Sequence, residues 1–198
     1  VFVYVIFMNM LNLIDGIDGL ASGLSLIAFA FFAYISYKTA SSFNLLLCLS
    51  CIGSILPFMY FNMFSDKKIF LGDNGSLTLG FILGFLSLEF LSPENYEVSS
   101  FLGLNTPLIL MSLFSFPLVD TLRVFTIRVL RKRSPFSADK NHIHHHLLRL
   151  GLSHRFATLL ILVYTILITI LSCLLLELNI NFAFVVLLTV AVFCICLP

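Results

Sequence analysis

Tryptophan is missing from this 198-residue chain, and charged side chains make up only 11% of it. A soluble globular domain carries about a quarter charged residues and roughly half apolar ones. Here the apolar share is 60% and the mean hydropathy +1.07, which excludes an ordinary soluble domain. A cysteine framework is missing too. Cys48, Cys51, Cys173, Cys194 and Cys196 all sit in apolar runs, without histidine or further cysteine at metal-ligand spacing. They read as small membrane-helix residues, with neither a disulfide scaffold nor a zinc site expected. The first residues lack a basic start and a small-residue cleavage site, so no signal peptide is expected. The chain opens inside an apolar run without an initiator Met, and the expectation is the C-terminal part of a longer protein.

What is present is a series of long apolar runs, 22 phenylalanines among them. Residues 1–11 read as the end of a membrane helix. Residues 20–37, 44–62, 77–91, 104–127, 156–176 and 181–197 read as further spans, and 20–37 is long enough nearly to cross a ~30 Å hydrocarbon core. Pro57 is the expected kink of the 44–62 span. The expectation is an all-α, polytopic transmembrane bundle of about six to seven spans forming one integral membrane domain over 1–198. With alternating crossings, segments 9–19, 65–76 and 128–155 share one side. That side carries Lys67, Lys68, Arg128, Arg131, Lys132, Arg133, Lys140, Arg149 and Arg155, against Lys38, Glu94, Glu97 and Glu177 opposite. The positive-inside rule then puts the three polar segments in the cytosol.

Each of those segments carries candidate chemistry. The first, Asn9-Met-Leu-Asn12-Leu-Ile-Asp15-Gly-Ile-Asp18-Gly-Leu20, spaces two amides and two carboxylates three residues apart. Repeated Asp-Gly signals a turn, so one helix ends near Asp15 and the next begins near Gly19. Carboxylates with amides are the hard oxygen donors that Mg²⁺ prefers, whereas plain helix capping explains one Asp but not the paired amides. The second, Phe70-Leu-Gly72-Asp73-Asn-Gly75-Ser76, sets Asp73 at a helix start. A helix start suits phosphate, and an N-cap in a tight turn is the plain alternative. Asn62 and Phe70 flank this loop, either facing a base or sugar or marking structural boundaries. The third runs from Arg128 to Gly151 and holds Arg131-Lys-Arg133, Asp139 and His142-Ile-His144-His145-His146. The basic residues suit lipid headgroups or an anionic ligand. Four histidines in five positions suit a transition metal, a pH switch or a pyrophosphate. Carboxylates in the other loops favour phosphate chemistry with Mg²⁺. Asp120, inside a span and three residues before Arg123, reads as a helical i, i+3 pair, with support of the site from behind as the alternative. His154 stands apart with no role assigned.

These three stretches, in this order, resemble the polyprenyl-phosphate N-acetylhexosamine-1-phosphate transferases of glycosyltransferase family 4. The context Pro117-Leu-Val-Asp120-Thr, Ser134-Pro-Phe-Ser137, Asp139 and His142-Ile-His-His is similar to the branch that uses UDP-N-acetylglucosamine. The resemblance implies transfer of N-acetylglucosamine-1-phosphate to undecaprenyl phosphate with release of UMP, at the first membrane step of envelope polysaccharide synthesis. It implies Mg²⁺, or Mn²⁺ in its place, and a bacterial cytoplasmic membrane location. The lipid acceptor and the UDP-sugar are the implied partners, a homodimer is allowed, and nucleic acid is not expected. It assigns Asp73 and Asn12 to the metal, and Asp18, Asn62 and Phe70 to the uridine. Arg131, His142 and His146 go to sugar-phosphate binding. His144 and His145 grip phosphate as catalytic residues beside Asp73, and Asp15 serves as base or metal-site support. The chain departs from the family in having no adjacent Asp-Asp pair, so by itself it is expected to be inactive. Alternatives are the phospho-N-acetylmuramoyl-pentapeptide transferase branch, a transporter with intramembrane carboxylates, and an inactive remnant.

Overall fold

The computed structural model describes residues 1–92, 106–132, 134, 142–176 and 178–196, without the side chains of His144, Ile195 and Cys196. The expected acidic loop 93–100, most of the Ser-Pro-Phe-Ser context, Arg133, Asp139, Lys140 and Glu177 lie outside the described residues. The described residues form α1 (Phe2–Ile14), α2 (Leu20–Lys38), α3 (Ser42–Met63), α4 (Gly72–Leu91), α5 (Thr106–Leu113), α6 (Ser115–Leu130), α7 (Ile143–Arg149), α8 (His154–Leu174) and α9 (Ile180–Cys196). Among them, α2, α3, α4 and α8 are each long and apolar enough to cross a membrane. The bent pair α5–α6 makes a fifth crossing if it counts as one. Helices α1 and α9 are apolar but shorter, with 13 and 17 residues. The chain is an all-helical membrane protein.

Apolar composition alone would leave serine and threonine hydroxyls stranded in the spans. Several are satisfied locally instead. Ser25 donates to the Ala21 carbonyl, Ser87 to Leu83, Thr165 to Ile161 and Thr189 to Val185. This i to i−4 bonding keeps each polar group within its own helix, as the bilayer requires. Helix α2 is the buried post of the bundle, with Phe29, Phe32 and Ile35 fully enclosed. Phe32 meets Phe90 of α4 with ring centroids 4.9 Å apart.

The 104–127 span is not one straight helix. It breaks at Phe114, and α5 and α6 meet at 69°. Pro117 supplies a physical reason. It has no N–H to donate to the Leu113 carbonyl, and its ring crowds that carbonyl, but it is tolerated in the first turn of a new helix. Helix α3, by contrast, runs on through Pro57.

Helices α1 and α4 lie antiparallel and very close. A Cβ on Gly80 of α4 would stand 2.6 Å from the Met8 Cα and 2.7 Å from the Phe7 carbonyl oxygen of α1. Farther along, Tyr4 stacks on Phe81 at 4.9 Å. Backbones approach this closely only where one side chain is absent. Gly80→Ala should therefore destabilise the protein by about 1–3 kcal/mol through overpacking. Gly53→Ala, where a Cβ meets nothing within 4 Å, should not. Thermal unfolding of the two variants in detergent checks this contrast.

Candidate functional site

The antiparallel α1–α4 contact carries the end of α1 to the start of α4. Helix α1 stops at Ile14, and Asp15 caps it with its N–H on the Asn12 carbonyl. Asn12 lies on the last turn, where its amide Nδ2 donates to Asp73 Oδ1 at 2.9 Å and to Ser76 Oγ at 3.0 Å. The Ser76 hydroxyl also reaches back to the Gly72 carbonyl at 3.1 Å. Asp73 stands in the first turn of α4, as the sequence reading placed it. Asp15 joins the same group. Its carboxyl is pushed up to about 6, chiefly by burial; a hydrogen bond from the Gly72 N–H opposes the shift, and the Asp73 charge adds to it. Two carboxylates, an amide and a hydroxyl thus converge from segments about sixty residues apart. Asn9 does not join them: its amide turns back to the Val5 carbonyl of its own helix.

The second half of the Asp-Gly repeat is held from two sides. Gly19 adopts a left-handed φ of +77° at the start of α2, and a Cβ there would collide with the Met63 side chain. The Gly19 N–H donates to Asn62 Oδ1 at 2.6 Å, and the Asn62 Nδ2 donates to the Ile69 carbonyl at 2.7 Å. Asn62, expected beside the uridine, is therefore buried, and both ends of its amide hold backbone. It ties the 15–19 loop to the 64–71 loop. From the other side, Thr158 of α8 donates to the Asp18 carbonyl at 2.7 Å. The Arg155 Nε donates to the Met63 carbonyl at 2.8 Å, and its guanidinium lies over the Phe64 ring. The Asp18 carboxylate pairs with Lys68, and His154 stands 3.9 Å away. Phe70 is 77% exposed at the rim. These contacts gather the ends of α1 and α3 with the starts of α2, α4 and α8 at one end of the bundle.

The histidine segment is organised by Asp120. This carboxylate is 1% exposed, and its Oδ1 accepts the Ile143 N–H at 3.0 Å. Its Oδ2 meets His142 Nδ1 at 2.9 Å, whereas Arg123 reaches Oδ1 only at 3.5 Å. The expected i, i+3 pair is thus the weaker contact, because α7 supplies better-placed donors. His142 is 5% exposed, with its Nδ1 on Asp120. His145 and His146 follow on α7, half-buried. The His146 imidazole is held below its ordinary pKa by burial and then by Arg123 and Arg149, with Asp120 opposing. Arg131 ends α6, exposed. Among the described residues, no three His, Cys, Asp or Glu side chains group as a metal site. An apolar groove of about 450 Å³ adjoins the segment, lined by Ile143, Leu147, Phe116, Ile161 and Tyr164.

Lys68 and Arg155 entered the sequence reading only as basic residues of one side and Thr158 not at all, because a lone Lys, Arg or Thr at a helix boundary has no spacing signal. Asp120 did carry one, since a carboxylate inside an apolar span is rare without a partner.

Residues 1–91 match the family model described as glycosyl transferase family 4. A probable undecaprenyl-phosphate N-acetylglucosaminyl 1-phosphate transferase of Bacillus subtilis is 39% identical over 117 residues, covering 59% of this chain and 30% of the relative. A decaprenyl-phosphate N-acetylglucosaminephosphotransferase of Mycolicibacterium smegmatis is 40% identical over 113 residues, 55% of this chain and 28% of the relative. The undecaprenyl-phosphate alpha-N-acetylglucosaminyl 1-phosphate transferase of Escherichia coli K12 is 32% identical over 117 residues, 58% of this chain and 30% of the relative. The match thus spans less than a third of these relatives' length. The Asn12, Asp15, Asp18 and Asp73 motifs all fall within the matched residues 1–91.

Proposed function

We propose that this chain forms part of an enzyme that transfers N-acetylglucosamine-1-phosphate from UDP-N-acetylglucosamine to a polyprenyl phosphate. A lipid-phosphate oxygen becomes bonded to the β-phosphorus of the donor, and the bridging oxygen leaves with UMP. The observation that carries this reading is the Asn12–Asp73 hydrogen bond, which joins two motifs into one carboxylate site at one end of the bundle. The names of the relatives favour N-acetylglucosamine over the muramoyl-pentapeptide branch. A transporter would set its polar groups along a path at the midplane; here the motif-bearing ones gather at helix ends.

The donor set fits Mg²⁺, which binds through one or two carboxylates plus substrate phosphates and keeps several waters. Asp15 and Asp73 are the carboxylates that would hold it, with Asn12 fixing Asp73. The ion would neutralise charge on the diphosphate as the phosphoryl group moves. Asp18 and Phe70 stand at the rim for the uridine, with Lys68 beside them for an anionic group. His145, His146 and Arg131 offer donors to phosphate from the next segment. Lys67, Lys68, Arg131, Lys132, Arg149 and Arg155 favour the cytosolic face for this end of the bundle.

Turnover is read as UMP release by the full-length protein from UDP-N-acetylglucosamine, polyprenyl phosphate and Mg²⁺. Asp73→Asn should reduce it to background, and wild-type turnover in that variant would overturn the reading. Asn12→Ala should lower it about 10- to 100-fold, as expected for loss of a residue that orients a ligand.

Asp15 adds a pH dependence. Its folded-state pKa of about 6 lies above the ordinary 3.8, so the folded protein holds this proton more tightly than the unfolded chain. Without divalent cation, the Asp15 contribution to stability is present at low pH and is lost as pH rises from about 4 to about 6. Mg²⁺ must displace that proton, so its affinity should fall about tenfold per pH unit below about 6. Calorimetric titration across pH 5–8 checks this, and Asp15→Asn should flatten the slope.

A further inference from the structure

Asp120 is buried in a membrane span, yet it is not explained by its helical neighbour Arg123. An ionised carboxylate in apolar surroundings is costly unless donors surround it. Both close donors come from 22 and 23 residues downstream: the His142 imidazole and the Ile143 backbone N–H. We propose that Asp120 is a positioning residue for the transfer reaction, holding His142 and the first turn of α7 so that the histidine segment keeps one orientation against the broken helix α6. This rests on the transferase reading above.

The chemistry is specific. A carboxylate only accepts, so the contact places a proton on His142 Nδ1 and selects that tautomer. The second oxygen satisfies Ile143 N–H, one of the donors that a helix start leaves without an internal partner. Ile143 and Leu147 are themselves buried in the main core, so the apolar side of α7 is locked while Asp120 fixes its first turn. His145 and His146 lie within one turn of this anchor and take their position from it.

Asp120→Asn, His142→Gln and the double variant of the full-length protein test this. Each single change should lower kcat about 10- to 100-fold, as loss of a supporting partner does, with little change in KM for the UDP-sugar. The double variant should be no slower than the slower single, because the two residues act as one unit. Multiplicative losses, or wild-type kcat in Asp120→Asn, would overturn the proposal. A second readout does not depend on turnover or on a variant surviving. In ¹⁵N-histidine spectra of the wild type, one ring should show a proton held on Nδ1 in slow exchange with water. Its absence also overturns the proposal. Should the wild type release no UMP, the transferase reading fails while the spectrum still decides the Asp120–His142 contact.

Discussion

The close approach of α1 and α4 at Gly80 sets the register on which the site depends. With no side chain between the backbones, the end of α1 arrives beside the first turn of α4, and Asn12 meets Asp73 and Ser76. Helix α1 packs along α4 over its described length, from Tyr4 beside Phe81 to Asn12 beside Asp73. Separation of the two helices by even one methyl group would move an amide and a carboxylate out of hydrogen-bond range while leaving the rest of the bundle intact.

Three polar knots hold this end of an otherwise apolar protein. Asn12 links α1 to α4. Asn62 links the loop before α2 to the loop before α4. Asp120 links α6 to α7. In each, one side chain bonds two groups at once: Asn12 through its Nδ2 alone, Asn62 through both ends of its amide, and Asp120 through both carboxylate oxygens. Many hydroxyls along the spans bond within their own helix, while Ser112 with Ser172 and Tyr164 with Ser115 bond between helices.

Much of this was legible in the amino-acid order. The helix boundaries around Asp15, Gly19 and Asp73 followed from Asp-Gly turns and apolar runs, and the same residues lie in the family match. The grouping of three segments at one end followed from alternating crossings. Less legible were features set by a distant contact. Asn62 read either as facing a base or sugar or as a boundary residue, because no spacing tells an amide facing solvent from one facing a loop backbone. Pro117 was read inside a single span. Whether a proline bends a helix or starts a new one depends on the packing around the Leu113 carbonyl. Asp120 was paired with Arg123 by helical spacing, while the better donors lay on another helix. Local pattern predicted the elements, and long-range hydrogen bonds decided what several polar residues do.

The Thr158 bond to the Asp18 carbonyl joins residues 140 positions apart, and this has a consequence in time. A chain made at roughly 5–20 residues per second completes the carboxylate pair once α4 has entered the membrane. The strut from α8 arrives several seconds later. Until then the Asp18 end of the loop is tethered through the Gly19–Asn62 bond and the Asp18–Lys68 pair. A loop made before α2 thus receives a brace from the later-made α8, and among these residues the order of synthesis is also the order in which the pocket stiffens.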